Sequence, residues 1–251
     1  MDDKNSNQVA LVTGSAKRIG KEITQYLHEQ NYNVIVHYNT SYEDALEFTK
    51  QLNEKRKDSA IAIQANLSKL DDITRLAKHA LQFKGKINLL INSASLFKPN
   101  NIHCTGQNEW DDSFESTVKG CYFLTQKLIS ALKITQGNVI NILDTHYQKP
   151  REGFGLYSMA KAALAMQTKS FALELAPDIR VNGIALGHFK WAECKEYQRD
   201  QEQIIIDNIP LVRSGNINDI TLTLDYIIKN TFLTGEIIHL DGGISLTHCS
   251  K

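Results

Sequence analysis

The chain has 251 residues, of which 42% are hydrophobic and 22% charged, and its formal net charge is zero. That length buries a core without disulfides or metals, and the lack of a basic excess leaves nucleic acids and anionic membranes without an electrostatic footprint. The four cysteines (Cys104, Cys121, Cys194, Cys249) form no CxxC pair and the eight histidines no close pair at ligand spacing. We therefore expect intracellular thiols and no metal site. The polar start MDDKNSNQ is no signal peptide, and no run approaches the ~20 apolar residues that span a bilayer, so a cytoplasmic location is expected.

Seven short apolar runs follow one another: VALVTG (9–14), YNVIVHY (32–38), SAIAIQANL (59–67), INLLINSA (87–94), NVINILD (138–144), IRVNGIAL (179–186) and EIIHLDGG (236–243). They are apolar throughout rather than alternating, which suits strands covered on both faces. Longer helical stretches separate them. The expected fold is therefore α/β, a Rossmann-type doubly wound parallel sheet of seven strands with helices on both faces. The four prolines lie near element ends, and no linker or repeat interrupts the chain, so a single domain over 1–251 is expected. The exception is 188–210, long and polar, with Trp191, Tyr197 and Ile204–Ile206. It reads either as a lid over a site or as a surface helix pair.

The first run passes through TGSAKRIG, with five residues between Gly14 and Gly20. Gly14 permits a tight turn, Gly20 a close approach of helix and sheet, and the helix start offers N–H groups to an anion. A triphosphate-binding loop needs four intervening residues and a hydroxyl after the Gly-Lys pair. Here Glu22 stands in that place, so a dinucleotide fits better. After the second run, His37-Tyr38-Asn39-Thr40-Ser41 carries no acid. A carboxylate there would repel a 2′-phosphate, whereas these side chains can donate to one. Arg18 adds a cation with a fork suited to phosphate. NADPH is the expected cofactor.

After the fifth run, Tyr157 and Lys161 stand four apart and so share a helix face. An ammonium beside a phenol stabilises the phenolate and makes the phenol a usable acid or base. With the glycine turn, NSAS (92–95), YSMAK (157–161), VNGIALG (181–187) and TGEIIHLDGG (234–243), the chain resembles the short-chain dehydrogenase/reductase family over nearly its whole length. The resemblance implies a nicotinamide cofactor, Tyr157 as proton donor or acceptor, and Lys161 on the nicotinamide ribose. It implies a cofactor surface of Gly14, Lys17, Arg18, Ile19 and Gly20, then His37, Tyr38, Asn39 and Ser41, then Asn66 and Leu67, then Asn92, Ala94 and Ser95, with Tyr157, Lys161 and Gly187. Thr117 holds the place of the family's catalytic Asn, Leu186 that of a Pro, and Asn66 that of an Asp beside adenine.

Asp144 stands where the family has Ser. An ionised Asp only accepts hydrogen bonds. It would repel a carbonyl gaining negative charge and suits a ring bearing N–H donors whose reacting bond is C=N. It also opposes phenolate formation at Tyr157, so the balance with Lys161 favours a protonated phenol. Asp at this position, TGSAKRIG, HYNTS and NSASLF are similar to the pteridine reductase branch, which includes dihydromonapterin reductases. That branch implies Ser95 near cofactor and pterin, Phe97 stacked on the pterin ring, and a substrate site of Ser95, Phe97, Asp144 and Tyr157. The expected partner is a small pterin or folate, with a homotetramer implied by family analogy. The alternatives are an NADPH-dependent ketone or 3-oxoacyl reductase, and a dinucleotide-binding regulator without turnover.

Overall fold

The computed structural model of the protein describes residues 7–189 and 199–247. Each expected run forms a strand: β1 (Val9–Val12), β2 (Asn33–Tyr38), β3 (Ala60–Gln64), β4 (Leu89–Asn92), β5 (Asn138–Asp144), β6 (Arg180–Leu186) and β7 (Ile237–Leu240). β1, β2 and β4 are buried along their length, while the edge strands β3 and β7 are partly exposed. All six neighbouring pairs are parallel, in the order β3-β2-β1-β4-β5-β6-β7. Six of the seven runs read longer in sequence than the strands they make, and only 138–144 matches its strand. β7 stops at Leu240 because Gly242 and Gly243 take left-handed conformations that turn the chain out of the sheet.

Successive side chains of a strand point to opposite faces, and two cores follow. Ala10, Val12, Val34 and Val36 pack with Ile23 and Leu27 of α1 (Arg18–Glu29), Phe48 and Leu52 of α2 (Tyr42–Lys55) and Leu224 of α8 (Ile217–Lys229). Val9, Leu11, Ile35 and Leu90 pack with Leu76 of α3 (Leu70–Lys84), Leu124 and Leu128 of α5 (Gly120–Ile134) and Phe171 of α6 (Gly155–Leu175). Each fully buried Leu or Ile contributes about 1.5–3 kcal/mol, so the layers fix the sheet on both sides. No helix among the described residues is long and apolar enough to cross a membrane.

The chain leaves β1 toward β2 and β3, then returns to β1's other side with β4. The carboxyl ends of β1 and β4 therefore border the crevice where parallel sheets of this kind bind ligands. Buried polar groups hold those ends in register. Asn92 Nδ2, at the end of β4, donates to Asn141 Oδ1 of β5 at 2.8 Å, and Asn141 Nδ2 donates to Thr168 Oγ1 of α6 at 2.8 Å. The fully buried Thr13 accepts from the N–H groups of both Ser93 and Ala94 at 3.0 Å. The elements that carry the candidate site are thereby tied to one another.

A helical arm, α4 (Gln107–Phe114), continues through a wider π turn over Glu115–Lys119 into α5. Such turns recur at functional sites, and this one contains Thr117. Beyond β6, α7 (Arg199–Asp207) borders the same crevice.

The Asn92–Asn141–Thr168 chain generates a prediction. Asn141→Leu keeps the branching and heavy-atom count of the side chain but strands a buried amide, so stability should fall by about 2 kcal/mol. A lower urea midpoint at unchanged slope checks it.

Candidate active site

β5 ends in Asp144 because the apolar run stops where the sheet meets the crevice. Its carboxylate accepts two hydrogen bonds, from Tyr157 Oη on Oδ2 at 2.9 Å and from the His146 backbone N–H on Oδ1 at 2.9 Å. Tyr157 lies in the first turn of α6 and is 6% exposed. Burial, the charge of Asp144 and the hydrogen bond to it together hold the phenol well above the usual tyrosine range, with Arg151 pulling weakly the other way. Lys161, one turn on, donates to the Ile142 carbonyl at 2.8 Å, and its Nζ stands 5.6 Å from the Tyr157 ring centroid. Burial holds this ammonium below the usual lysine range, against the pull of Asp144 and Cys121. The expected balance thus falls on the protonated phenol. Burial adds to the expected cause, the charge of Asp144, while Lys161 donates one of its three N–H groups to the strand.

At the other end of the crevice, Gly14 has φ +65°, and a Cβ there would meet Ala94 Cα at 2.9 Å. A Cβ on Gly20 would lie 2.4 Å from the Gly14 carbonyl oxygen. Both glycines are therefore required by close approach. Arg18 adopts φ +50°, a left-handed conformation that costs an ordinary residue about 1 kcal/mol. Such local strain characterises functional turns, and here it sets the guanidinium-bearing residue at the crevice. No side chain caps α1, and its first residues Arg18, Ile19 and Gly20 line the cleft, so the helix start is left to an anion. These features fit a dinucleotide pyrophosphate.

The two ends meet in one cleft of about 870 Å³. Gly14, Lys17, Arg18, Ile19, Gly20, Ala94, Ser95, Phe97, Asp144, Tyr157, Lys161 and Gly187 all line it. Phe97 meets Tyr157 edge-on, at 4.9 Å and 85°. Its ring also stacks on Phe154, at 4.5 Å and 18°, with the Arg151 guanidinium 4.6 Å from the Phe154 centroid. A flat ligand must therefore use a part of Phe97 that Phe154 leaves open. Ser95 Oγ lies 3.5 Å from Oγ1 of the buried Thr117.

The model of the short chain dehydrogenases matches residues 8–203. The chain belongs to the short-chain dehydrogenase family. It is accordingly an oxidoreductase. Among curated relatives of this family, it is 32% identical to a 3-oxoacyl-(acyl-carrier-protein) reductase, FabG, of Staphylococcus epidermidis, over 95% of this chain and 99% of that one. It is 29% identical to pteridine reductase 1 of Leishmania tarentolae, over 95% and 96%. Among solved structures, the FolM alternative dihydrofolate reductase 1 of Brucella canis, complexed with NADP, superposes with a TM-score of 0.88 at 32% identity, covering 98% of this chain and 97% of that one.

Several residues expected at this short-chain site lie elsewhere. His37 is corrected: it is 2% exposed, its Nδ1 accepts from the Gly14 N–H at 3.0 Å, and its Nε2 donates to the Ala65 carbonyl at 3.0 Å. Both ring nitrogens are used inside the protein, so the imidazole supports the glycine turn and cannot donate to a phosphate. Tyr38 and Leu67 are core residues, and Asn92 is the structural amide described above. Asn39, Ser41 and Asn66 lie outside the cleft lining. Asn39 is exposed, Ser41 precedes α2, and Asn66 Oδ1 accepts from the Ser68 N–H. Lys17 pairs with Asp44 at 2.9 Å. Of the expected lid, Trp191 and Tyr197 fall outside the described residues, while Glu202, Ile204 and Ile205 of α7 line the cleft.

Sequence reasoning missed four supports of this site. Thr13 precedes the first glycine and reads as an ordinary strand end. Asn100 accepts from the Leu156 N–H at 3.0 Å and so anchors the start of α6 to the Phe97 loop. Phe154 and His146 become visible only once the loop folds back. A signal existed for Phe154, an aromatic residue between Gly153 and Gly155 beside an expected site.

Burial holds the His37 imidazole down to about 4. The unfolded chain binds that proton near 6.5 and the folded one does not until about 4, so acid favours unfolding across that window. His37 should thus cost about 3 kcal/mol of stability as pH falls from 6.5 to 4. His37→Gln, which keeps a donor and an acceptor but does not titrate, should show a flatter denaturation-midpoint profile over this range.

Proposed function

We propose that the chain is an NADPH-dependent reductase of dihydropterins, acting on dihydrobiopterin, dihydromonapterin or dihydrofolate to give the tetrahydro form. One observation carries the reading: an acceptor-only carboxylate, Asp144, stands in the cleft with the Tyr157 proton hydrogen-bonded to it at 2.9 Å. The likeness to pteridine reductase 1 and to the Brucella dihydrofolate reductase supports it.

The residues divide the work as follows. Gly14, Lys17, Arg18, Ile19, Gly20, Ala94 and Gly187, with Lys161 on the ribose, hold the dinucleotide. When bound, NADPH supplies hydride to a C=N carbon. Asp144 accepts from the N–H groups of the substrate ring and thereby orients it. A ketone offers no such donor and would place developing negative charge beside a carboxylate. Phe97 supplies the flat surface, and Ser95 a hydroxyl at its rim. Tyr157 retains its proton because burial and Asp144 make the phenolate costly, and it releases that proton to a ring nitrogen. Arg18, at the cleft, favours the 2′-phosphate. We extend the proposal to one domain over the whole chain, a lid action of 188–210, a cytoplasmic location and a homotetramer by family analogy.

A 3-oxoacyl reductase is the second reading, favoured by 32% identity to the staphylococcal relative. It calls for a hydroxyl donor where Asp144 stands.

The test follows NADPH oxidation with dihydrobiopterin, dihydromonapterin, dihydrofolate and a ketone panel. Pterin or folate turnover is expected, and ketone turnover alone would reject the assignment. Asp144→Ser should lower kcat/KM for the pterin by roughly 100-fold, since an oriented acceptor and its partner's proton are both disturbed. Arg18→Ala should weaken NADPH binding by roughly 10-fold or more while leaving NADH binding nearly unchanged. Equal losses would remove the phosphate argument.

A further inference from the structure

The loop after β5 brings a histidine to the back of the candidate acid. Asp144 presents one oxygen to Tyr157 and the other to the backbone N–H of His146. The His146 side chain follows the same oxygen: Nε2 lies 4.0 Å from Oδ1. The ring is oriented from its far side, where Nδ1 faces the Lys149 carbonyl at 3.1 Å. A carbonyl only accepts, so Nδ1 carries the hydrogen and Nε2 is the atom that gains a proton when the ring becomes charged. The Lys149 ammonium in turn donates to the Thr247 carbonyl, which secures the loop to the far rim of the cleft. The imidazole is 30% exposed, so protons reach it from solvent.

Releasing its proton to a substrate would leave Tyr157 as a phenolate 2.9 Å from a carboxylate in a buried setting. Two like charges that close are costly; the Lys161 ammonium, 5.6 Å from the phenol ring centroid, donates one of its three N–H groups to the strand and offsets only part of that cost. The titratable and charged groups that line the cleft with His146 are Asp144, Lys149, Arg151 and Glu152 of its own loop, Tyr157 and Lys161 of α6, Lys17 and Arg18 of the glycine turn, and His188 and Glu202 beyond β6. Among the described residues, Asp144 is the one carboxylate within ion-pair distance of the ring.

We propose that His146 is a positioning residue for the acid: in its charged form it closes an ion pair on Asp144 Oδ1 and so balances the negative charge that appears when Tyr157 gives up its proton. A small rotation of the ring, or one bridging water, closes the remaining gap. The inference rests on the reading of Tyr157 as proton donor but not on the substrate being a pterin.

The substitution that tests it leaves the scaffold in place, because the N–H that fixes Asp144 belongs to the backbone. His146→Ala and His146→Gln are assayed with whichever member of the pterin and ketone panel the wild type reduces. A wild type that reduces only ketones defeats the pterin reading and leaves the His146 test intact. Both variants should lose kcat by roughly 10-fold or more, with KM and NADPH affinity within twofold of wild type. Imidazole in the buffer should restore His146→Ala through the solvent-open space left behind. An activity-independent readout is proton NMR of the free protein: a low-field imidazole N–H resonance should disappear in both His146→Gln and Asp144→Asn. A kcat within twofold of wild type, a loss that imidazole does not restore, or a resonance indifferent to Asp144→Asn would overturn the proposal.

Discussion

A phenol that donates its proton to a carboxylate cannot easily become an anion. The hydrogen bond from Tyr157 to Asp144 is that constraint in this protein, and the remaining features of the site depend on it. It holds the phenol in the protonated state, since burial and a neighbouring negative charge act in the same direction. It also leaves Asp144 with acceptor capacity on the cleft side, because a carboxylate has about four lone-pair sites and two are used. On the proposed reading, one pair of residues thus supplies a proton to give and an acceptor to orient the ligand.

The fold fixes that pair by means unrelated to the chemistry. Parallel strands end together, so Gly14, Ser95, Asp144 and Gly187 reach one crevice from β1, β4, β5 and β6. The buried chain from Asn92 through Asn141 to Thr168 ties β4, β5 and α6 together in the layer below the site. Asn100 then fixes the first turn of α6, where Tyr157 sits. Tight packing around these hydrogen bonds leaves little freedom for the 2.9 Å contact to drift.

The architecture was legible because strands buried on both faces read as unbroken apolar runs, and all seven emerge within a few residues of their expected bounds. The glycine turn, Asp144, Tyr157 and Lys161 were legible for a different reason, since backbone closeness and helix spacing are written in residue type and interval. His37 misled because a polar side chain after a strand reads the same whether it turns outward or inward. Its two ring nitrogens face the Gly14 N–H and the Ala65 carbonyl, one 23 and the other 28 residues away in the chain. His146 meets Asp144 within its own loop, whereas Phe154 and Asn100 act through contacts that close only when loops from β4 and β5 fold over each other. No local pattern encodes such a meeting.

The central claim concerns the state of one phenol, and tyrosinate absorbance measures it directly. The titration of the wild type minus that of Tyr157→Phe isolates Tyr157 from the other eight tyrosines. The account predicts a difference curve that stays flat through pH 10, the ordinary midpoint, and rises only above it. A difference curve with its midpoint at or below pH 9 would show a phenolate favoured in the cleft and would contradict the account.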